Sequence, residues 1–168
     1  MNNAVRTTEG FRMSAPPLIL ERFGVRHSPL IAAWFELDPE TARRLDTSIS
    51  AQARPGHDPY VACDANTRAV LGFGVISRDA GQGCCLNVIA HPAHRRRGIA
   101  RATIALLAEE ARRLGYAGPI GAMVETTHDA GLALPSSAGF VPDPHPAAQH
   151  RHWRQLVLAE RKPAGTLS

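Results

Sequence analysis

The densest group of chemistry-bearing residues in this chain is Arg95, Arg96, Arg97 and Arg101, set around Gly98. Arginine presents a planar, permanently charged fork that suits phosphate oxygens. The group lies in the run Val88-Ile89-Ala90-His91-Pro92-Ala93-His94-Arg95-Arg96-Arg97-Gly98-Ile99-Ala100-Arg101. Apolar residues lead into Pro92, which cannot donate to a strand ladder, and a helical period opens near Gly98. The first turn of a helix carries free N–H groups and the positive end of the helix dipole. A strand, a turn and a helix start in this order make a seat for a pyrophosphate. Gly98 has no Cβ, so a phosphate can approach the backbone closely.

The elements that must hold this turn can be read on both sides of it. Leu18-Ile19-Leu20 begins a short strand. Ser28-Pro29 starts a helix, with Ser28 as N-cap and Pro29 at the first helical position, and Leu30, Ile31, Trp34 and Leu37 follow at helical spacing. Asp38-Pro39-Glu40 repeats the signal for a second helix carrying Leu45 and Ile49. Residues 54–59 read as a loop. Strands follow at Tyr60–Cys63, at Ala69–Ile76, where Gly72 and Gly74 weaken the strand or mark a bulge, and at Cys84–Ala90. From Gly98 to Leu114 the apolar positions Ile104, Leu107, Ala111 and Leu114 recur every three or four residues. Glu109 and Arg113 are spaced as an i,i+4 ion pair, and Gly115 is the expected stop. Ile120–Val124 is a strand, Asp129–Ala138 a helix interrupted by Pro135, and Gly139–Val141 and Trp153–Leu158 are two last strands. The order describes one mixed α/β domain.

Bulk properties narrow the classes further. The chain has 168 residues, 44% of them hydrophobic, which is enough for one core. Residues 1–16 read as a flexible leader, 17–161 as the domain and 162–168 as a flexible tail. No apolar run reaches eighteen residues and no apolar stretch marks a secretory signal. Cys63, Cys84 and Cys85 are an odd set without metal spacing, which fits a reducing cytoplasm. The net charge of +4 and pI near 9.5 favour anionic partners. Nucleic acid is the weaker reading of that charge, because the arginines are not interleaved with aromatic residues. His145, His150 and His152 lie close in sequence, but a surface group explains them more simply than a metal centre, so no metal is expected.

On the residues Arg95-x-x-Gly98-x-Ala100, preceded by Pro92 and later joined by Ala138-Gly139-Phe140, the chain resembles the GNAT superfamily of acyl-CoA-dependent N-acyltransferases over residues 18 to 160. The resemblance implies a GNAT-like α/β (α+β mixed) fold: a mostly antiparallel mixed sheet of six to seven strands flanked by about four helices. It implies acetyl-CoA as co-substrate and direct attack by a primary amine in a ternary complex. Val88, Ile89 and Ala90 would pair with the pantetheine arm. The N–H groups from Arg95 through Arg96, Arg97, Gly98, Ile99 and Ala100 to Arg101 would hold the pyrophosphate. The fourth and fifth strands would part near Ala90 and Val124. A backbone N–H near Ile89 or Ala90 would polarise the thioester carbonyl.

The sequence departs from the family at two positions. His128 stands where an Asn often touches pantetheine. Pro135 stands where a Tyr often protonates the departing thiolate, which leaves His128, Ser136 and Ser137 as candidates for that role. Glu125, at the end of the fifth strand, is the first candidate for the base, with His91 and His128 behind it. A competing reading is an acyl-CoA-binding or sensing protein with weak turnover or none. The acceptor, a small-molecule or peptide amine, and assembly as a homodimer are left open by these residues. Trp34 and Phe35 are candidates either for the core or for an acceptor pocket.

Overall fold

A computed structural model describes residues 15–37, 55–78, 82–125, 139–142, 149–150 and 153–159; for 35–37, 123–125, 142, 149–150 and 153–155 it describes the backbone alone. The described strands are β1 (Leu18–Arg22), β2 (His57–Asp64), β3 (Val70–Arg78), β4 (Cys84–Ala90), β5 (Ile120–Glu125), β6 (Phe140–Pro142), β7 (Gln149–His150) and β8 (Trp153–Leu158). They form one sheet in the order β1-β2-β3-β4-β5-β8-β6, with the two-residue β7 on β8. Every pairing is antiparallel except β4 with β5. The described residues therefore hold eight strands where six to seven were expected, β7 being too short to leave a hydrophobic pattern. They hold two α-helices, α1 (Ser28–Leu37) and α2 (Ile99–Arg113), where about four were expected. The stretches read as the other two, after Asp38 and from Asp129, lie outside the described residues.

Side-chain alternation along the strands divides the core in two. On one face Tyr60, Ile76, Leu86, Ile120 and Ala122 pack against Ile104, Leu107, Ala108 and Ala111 of α2. On the other Val61, Cys63, Phe73, Val75 and Ile89 pack against Ile31 and Trp34 of α1. Gly72 and Gly74 bring α2 close: a Cβ on Gly72 would stand 2.7 Å from Thr103 Oγ1, and one on Gly74 2.4 Å from Leu107 Cδ1. The bulge expected at these glycines falls one residue away, at Leu71, where the register shifts between Ala62 and Cys63.

Several local expectations are corrected. Ser28 is already helical, because a 3-10 turn at Val25–His27 runs directly into α1. Gly24 opens that turn, its N–H donating to His27 Nδ1 at 2.9 Å while its carbonyl accepts from the His27 N–H. β2 begins at His57 rather than Tyr60 and contains Pro59. The Pro59 carbonyl accepts from the Phe23 N–H, so its nitrogen faces the same side. β1 ends at Arg22, and the missing donor leaves the Phe23–Pro59 pair with a single bond. Arg113 pairs with Glu110 at 2.6 Å, not with Glu109, because Glu110 also accepts from the Tyr60 hydroxyl at 2.9 Å and is drawn to the sheet. Gly115 does close α2, at φ +91°.

Candidate functional site

The site begins with a change of partner along β4. Its parallel pairing with β5 runs through Cys84↔Ile120, Cys85↔Gly121 and Leu86↔Ala122 and then stops. The antiparallel pairing with β3 continues to Gly72↔Ala90, and the His91 N–H donates to Leu71 O at 2.8 Å. The two strands thus part after Leu86, three to four residues before the end of β4.

Alternation in an antiparallel ladder decides which groups face the gap. With His91 pointing at β3, Ile89 and Asn87 point there too. Cys84, Leu86, Val88 and Ala90 point toward β5. The Cys84 N–H is taken by Pro119 O at 3.0 Å, and Leu86 lies in the parallel ladder. Val88 and Ala90 therefore present N–H and C=O groups to the opening, whereas the Ile89 backbone faces Phe73 and its side chain is buried on the α1 face.

Beyond β4 the chain turns sharply. His91 caps a 3-10 turn at Pro92–His94, its Nδ1 accepting from the Ala93 N–H at 3.1 Å. Arg96 has φ +63° and Gly98 φ +76°. Left-handed residues alternating with ordinary ones turn successive N–H groups toward one side, a concavity that binds anions. Gly98 is the N-cap of α2 and offers no side chain to its first turn. The first intrahelical bond runs from the Ala102 N–H to Gly98 O, so the N–H groups of Ile99, Ala100 and Arg101 precede it. No acidic residue stands in that turn, and Arg95, Arg96, Arg97 and Arg101 are exposed around it. Gly98 is required by its φ more than by space, since a Cβ there would meet Ala15 Cβ at an ordinary 3.6 Å.

A ring stack closes the α1 side of the turn. His91 lies 4.9 Å from buried Trp34 and 5.0 Å from His94, centroid to centroid, and Arg97 Nη1 lies 3.4 Å from His94 Nδ1. Burial, with a smaller contribution from His94, holds the His91 pKa below the ordinary imidazole value. The ring is neutral at pH 7, and the Ala93 N–H on Nδ1 places its proton on Nε2. With Nδ1 taken by the Ala93 N–H, Nε2 is the ring nitrogen His91 has left to offer. Trp34 is a core residue that also supports His91.

The remaining candidates are less fully placed. Glu125 closes β5 opposite Trp153, and only its backbone is described. His128, Pro135, Ser136 and Ser137 lie outside the described residues, as do His145 and His152. No group of three metal-ligating side chains occurs among the described residues, and none of their helices is long and apolar enough to cross a membrane. The stack of Trp34, His91 and His94 escaped the sequence reading, although a histidine before proline at a strand end was a usable capping signal. The positive φ of Arg96 had none, since arginine has no preference for that conformation.

Comparison with known proteins adds a family. The family model described as "Acetyltransferase (GNAT) family" matches residues 27–140. No curated protein sequence matches the chain. Among solved structures, a domain from Methanocaldococcus jannaschii aligns at TM-score 0.67 and 14% identity, over 84% of this chain and 97% of that one. A spermidine N-acetyltransferase from Vibrio cholerae in complex with CoA and spermine aligns at TM-score 0.62 and 15% identity, over 84% and 95%. A chimera of the spermidine N-acetyltransferase from Vibrio cholerae and hSSAT aligns at 0.63 and 15%, over 84% and 94%. At such identities these likenesses speak for the fold alone.

Proposed function

The chain belongs to the GNAT acetyltransferase family, and from that premise we propose that it moves the acetyl group of acetyl-CoA to a primary amine by direct attack in a ternary complex. The observation that carries the reading is the parting of β4 and β5 after Leu86 beside the uncapped start of α2. One feature offers a free strand edge to an extended amide arm, and the other offers free N–H groups and nearby arginines to a pyrophosphate.

The residues present fit such a co-substrate. Val88 and Ala90 would pair with its amide arm as an added strand. The N–H groups of Ile99, Ala100 and Arg101, with Arg95, Arg96 and Arg97, would neutralise the pyrophosphate. An N–H of Val88 or Ala90 would donate to the thioester oxygen as negative charge develops there. An alkylammonium of pKa about 10.4 must lose a proton before it attacks. Glu125, on the far lip of the opening, is the proposed acceptor of that proton, directly or through water. His128 and Ser137 are the proposed donors to the departing thiolate, a leaving group mild enough to depart without strong assistance (thiol pKa about 8.5 for the cysteine analogue). The solved structures of similar fold include a spermidine N-acetyltransferase, which puts polyamines on the panel of acceptors beside amino acids and peptide N-termini.

The test is calorimetric titration of acetyl-CoA and CoA into wild type and Gly98→Asp, followed by thiol release on an amine panel. Wild type binds both ligands. The variant, which sets a carboxylate at the phosphate seat, binds neither while keeping its circular dichroism spectrum. Failure of wild type to bind overturns the reading. Binding without release on any amine selects the alternative that Pro135 suggests, an acyl-CoA sensor.

A further inference from the structure

A second cavity lies at the β1 edge of the sheet, separated from the β4–β5 opening by β2 and β3. It has a volume of about 210 Å³, the share of about seven liquid waters at about 30 Å³ each. That is room for a small molecule and far too little for a nucleotide. Its walls come from the start of α1, from β1 and from the ends of β2 and β3. Leu30, Val70 and the buried Cys63 supply apolar surface.

The polar rim is ordered. Each carboxylate oxygen of Glu21 takes one guanidinium, Oε2 that of Arg26 and Oε1 that of Arg68. Arg26 turns Nε toward the His27 ring and Nη2 to Glu21, leaving Nη1 open. Arg68 uses Nη2 alone, leaving Nη1 and Nε open. Both guanidinia are exposed, at 73% and 60%, so these donors reach an incoming molecule. His27 is buried, its Nδ1 accepts from Gly24, and burial with the neighbouring Arg26 lowers its pKa, so it adds no charge at pH 7. Two cations and one anion leave the rim with one positive charge uncompensated.

The guest that completes this set is a monoanion. Two guanidinia already converge on one carboxylate here, and the N–H groups they leave open can each donate to a second. The apolar floor asks for a short hydrocarbon behind the charged group. We propose that the cavity is a second ligand site for a small monocarboxylate with a short apolar tail, its carboxylate between Arg26 and Arg68 and its tail on Leu30, Val70 and Cys63. The site is independent of acetyl transfer and stands whether or not the β4–β5 opening binds CoA. The same chemistry can come from a free short-chain acid or from the C-terminus of a peptide ending in an apolar residue.

The test is methyl-resolved NMR of the full chain titrated with isovalerate, with its neutral isostere isovaleramide, and with an N-acetylated diglycyl-leucine peptide. Isovalerate shifts the Leu30 and Val70 methyl signals saturably, the amide does not, and Arg68→Gln binds about tenfold more weakly, the loss of about 1.4 kcal/mol. The shifts persist in Gly98→Asp. Tighter binding of the peptide than of isovalerate assigns the site to a chain end, and the reverse to a free acid. No saturable shift from either carboxylate up to about 50 mM, well above a millimolar Kd, overturns the proposal. So do equal shifts from the amide, a comparison made on wild type that needs no variant to fold.

Discussion

Replacing Gly74 by alanine tests the packing that brings the α2 start to the β4 end. The new Cβ would stand 2.4 Å from Leu107 Cδ1 and 3.2 Å from Asn87 O. Leu107 is fully buried and cannot swing into solvent. Forcing one methyl into such a core costs up to about 3 kcal/mol, while removing a glycine returns about 0.7 kcal/mol through the unfolded chain. The net is a loss of about 2 kcal/mol. For a chain of this size that lowers Tm by about 4–8 °C. Leu107→Ala alone costs about 2–5 kcal/mol, since it leaves a cavity. In the double variant the alanine at 74 partly fills that cavity and meets no clash. The pair should therefore be more stable than the sum of the singles by about 1–2 kcal/mol. Urea unfolding followed by circular dichroism measures all four corners of the cycle. A neutral Gly74→Ala with no coupling to Leu107 would refute the close approach of α2, and with it the register that sets Gly98 beside the gap.

Four further substitutions each test a single group. Glu125→Gln should lower kcat by about 10²–10⁴ with little change in CoA affinity, whereas His91→Asn, which keeps a capping acceptor, should leave the basic limb of the pH–rate profile in place; steady-state kinetics from pH 6 to 10 separates the two. Tyr60→Phe should cost about 1 kcal/mol in urea at pH 7 through its lost bond to Glu110. The Tyr60 pKa is pushed up to about 12, chiefly by burial and then by the Glu110 hydrogen bond, so its contribution is complete below pH 10 and disappears as pH rises toward 12; Tyr60→Phe should flatten that alkaline loss. Arg113 and Tyr60 hydrogen-bond Glu110 and hold its carboxyl below the usual range; the stability this brings is present above the ordinary Glu pKa and is lost as pH falls below it, so Glu110→Gln should reduce the acid sensitivity of Tm between about pH 5 and 3.

What was readable in the sequence is what depends on local pattern. The turn around Gly98 could be found because a strand, a proline, a glycine and a helical period follow one another within one short run, and each has its own steric cause. Gly115 was legible for the same reason. Pairings that depend on the third dimension were not. Arg113 has a glutamate at both i−4 and i−3, and only the position of Tyr60, fifty residues earlier in the chain, decides for Glu110. Gly72 and Gly74 read as defects in a strand until the helix they admit is known. Val88, Ile89 and Ala90 look alike as a sequence, but ladder alternation gives Val88 and Ala90 to the opening and Ile89 to the core. His91 read as a free loop histidine that could take a proton. Only the Ala93 N–H at Nδ1 and the ring of Trp34 beside it show how the side chain is held. The sequence locates the turn at Gly98 because backbone conformation makes it, and it leaves the side-chain pairings open because contacts between distant elements decide them.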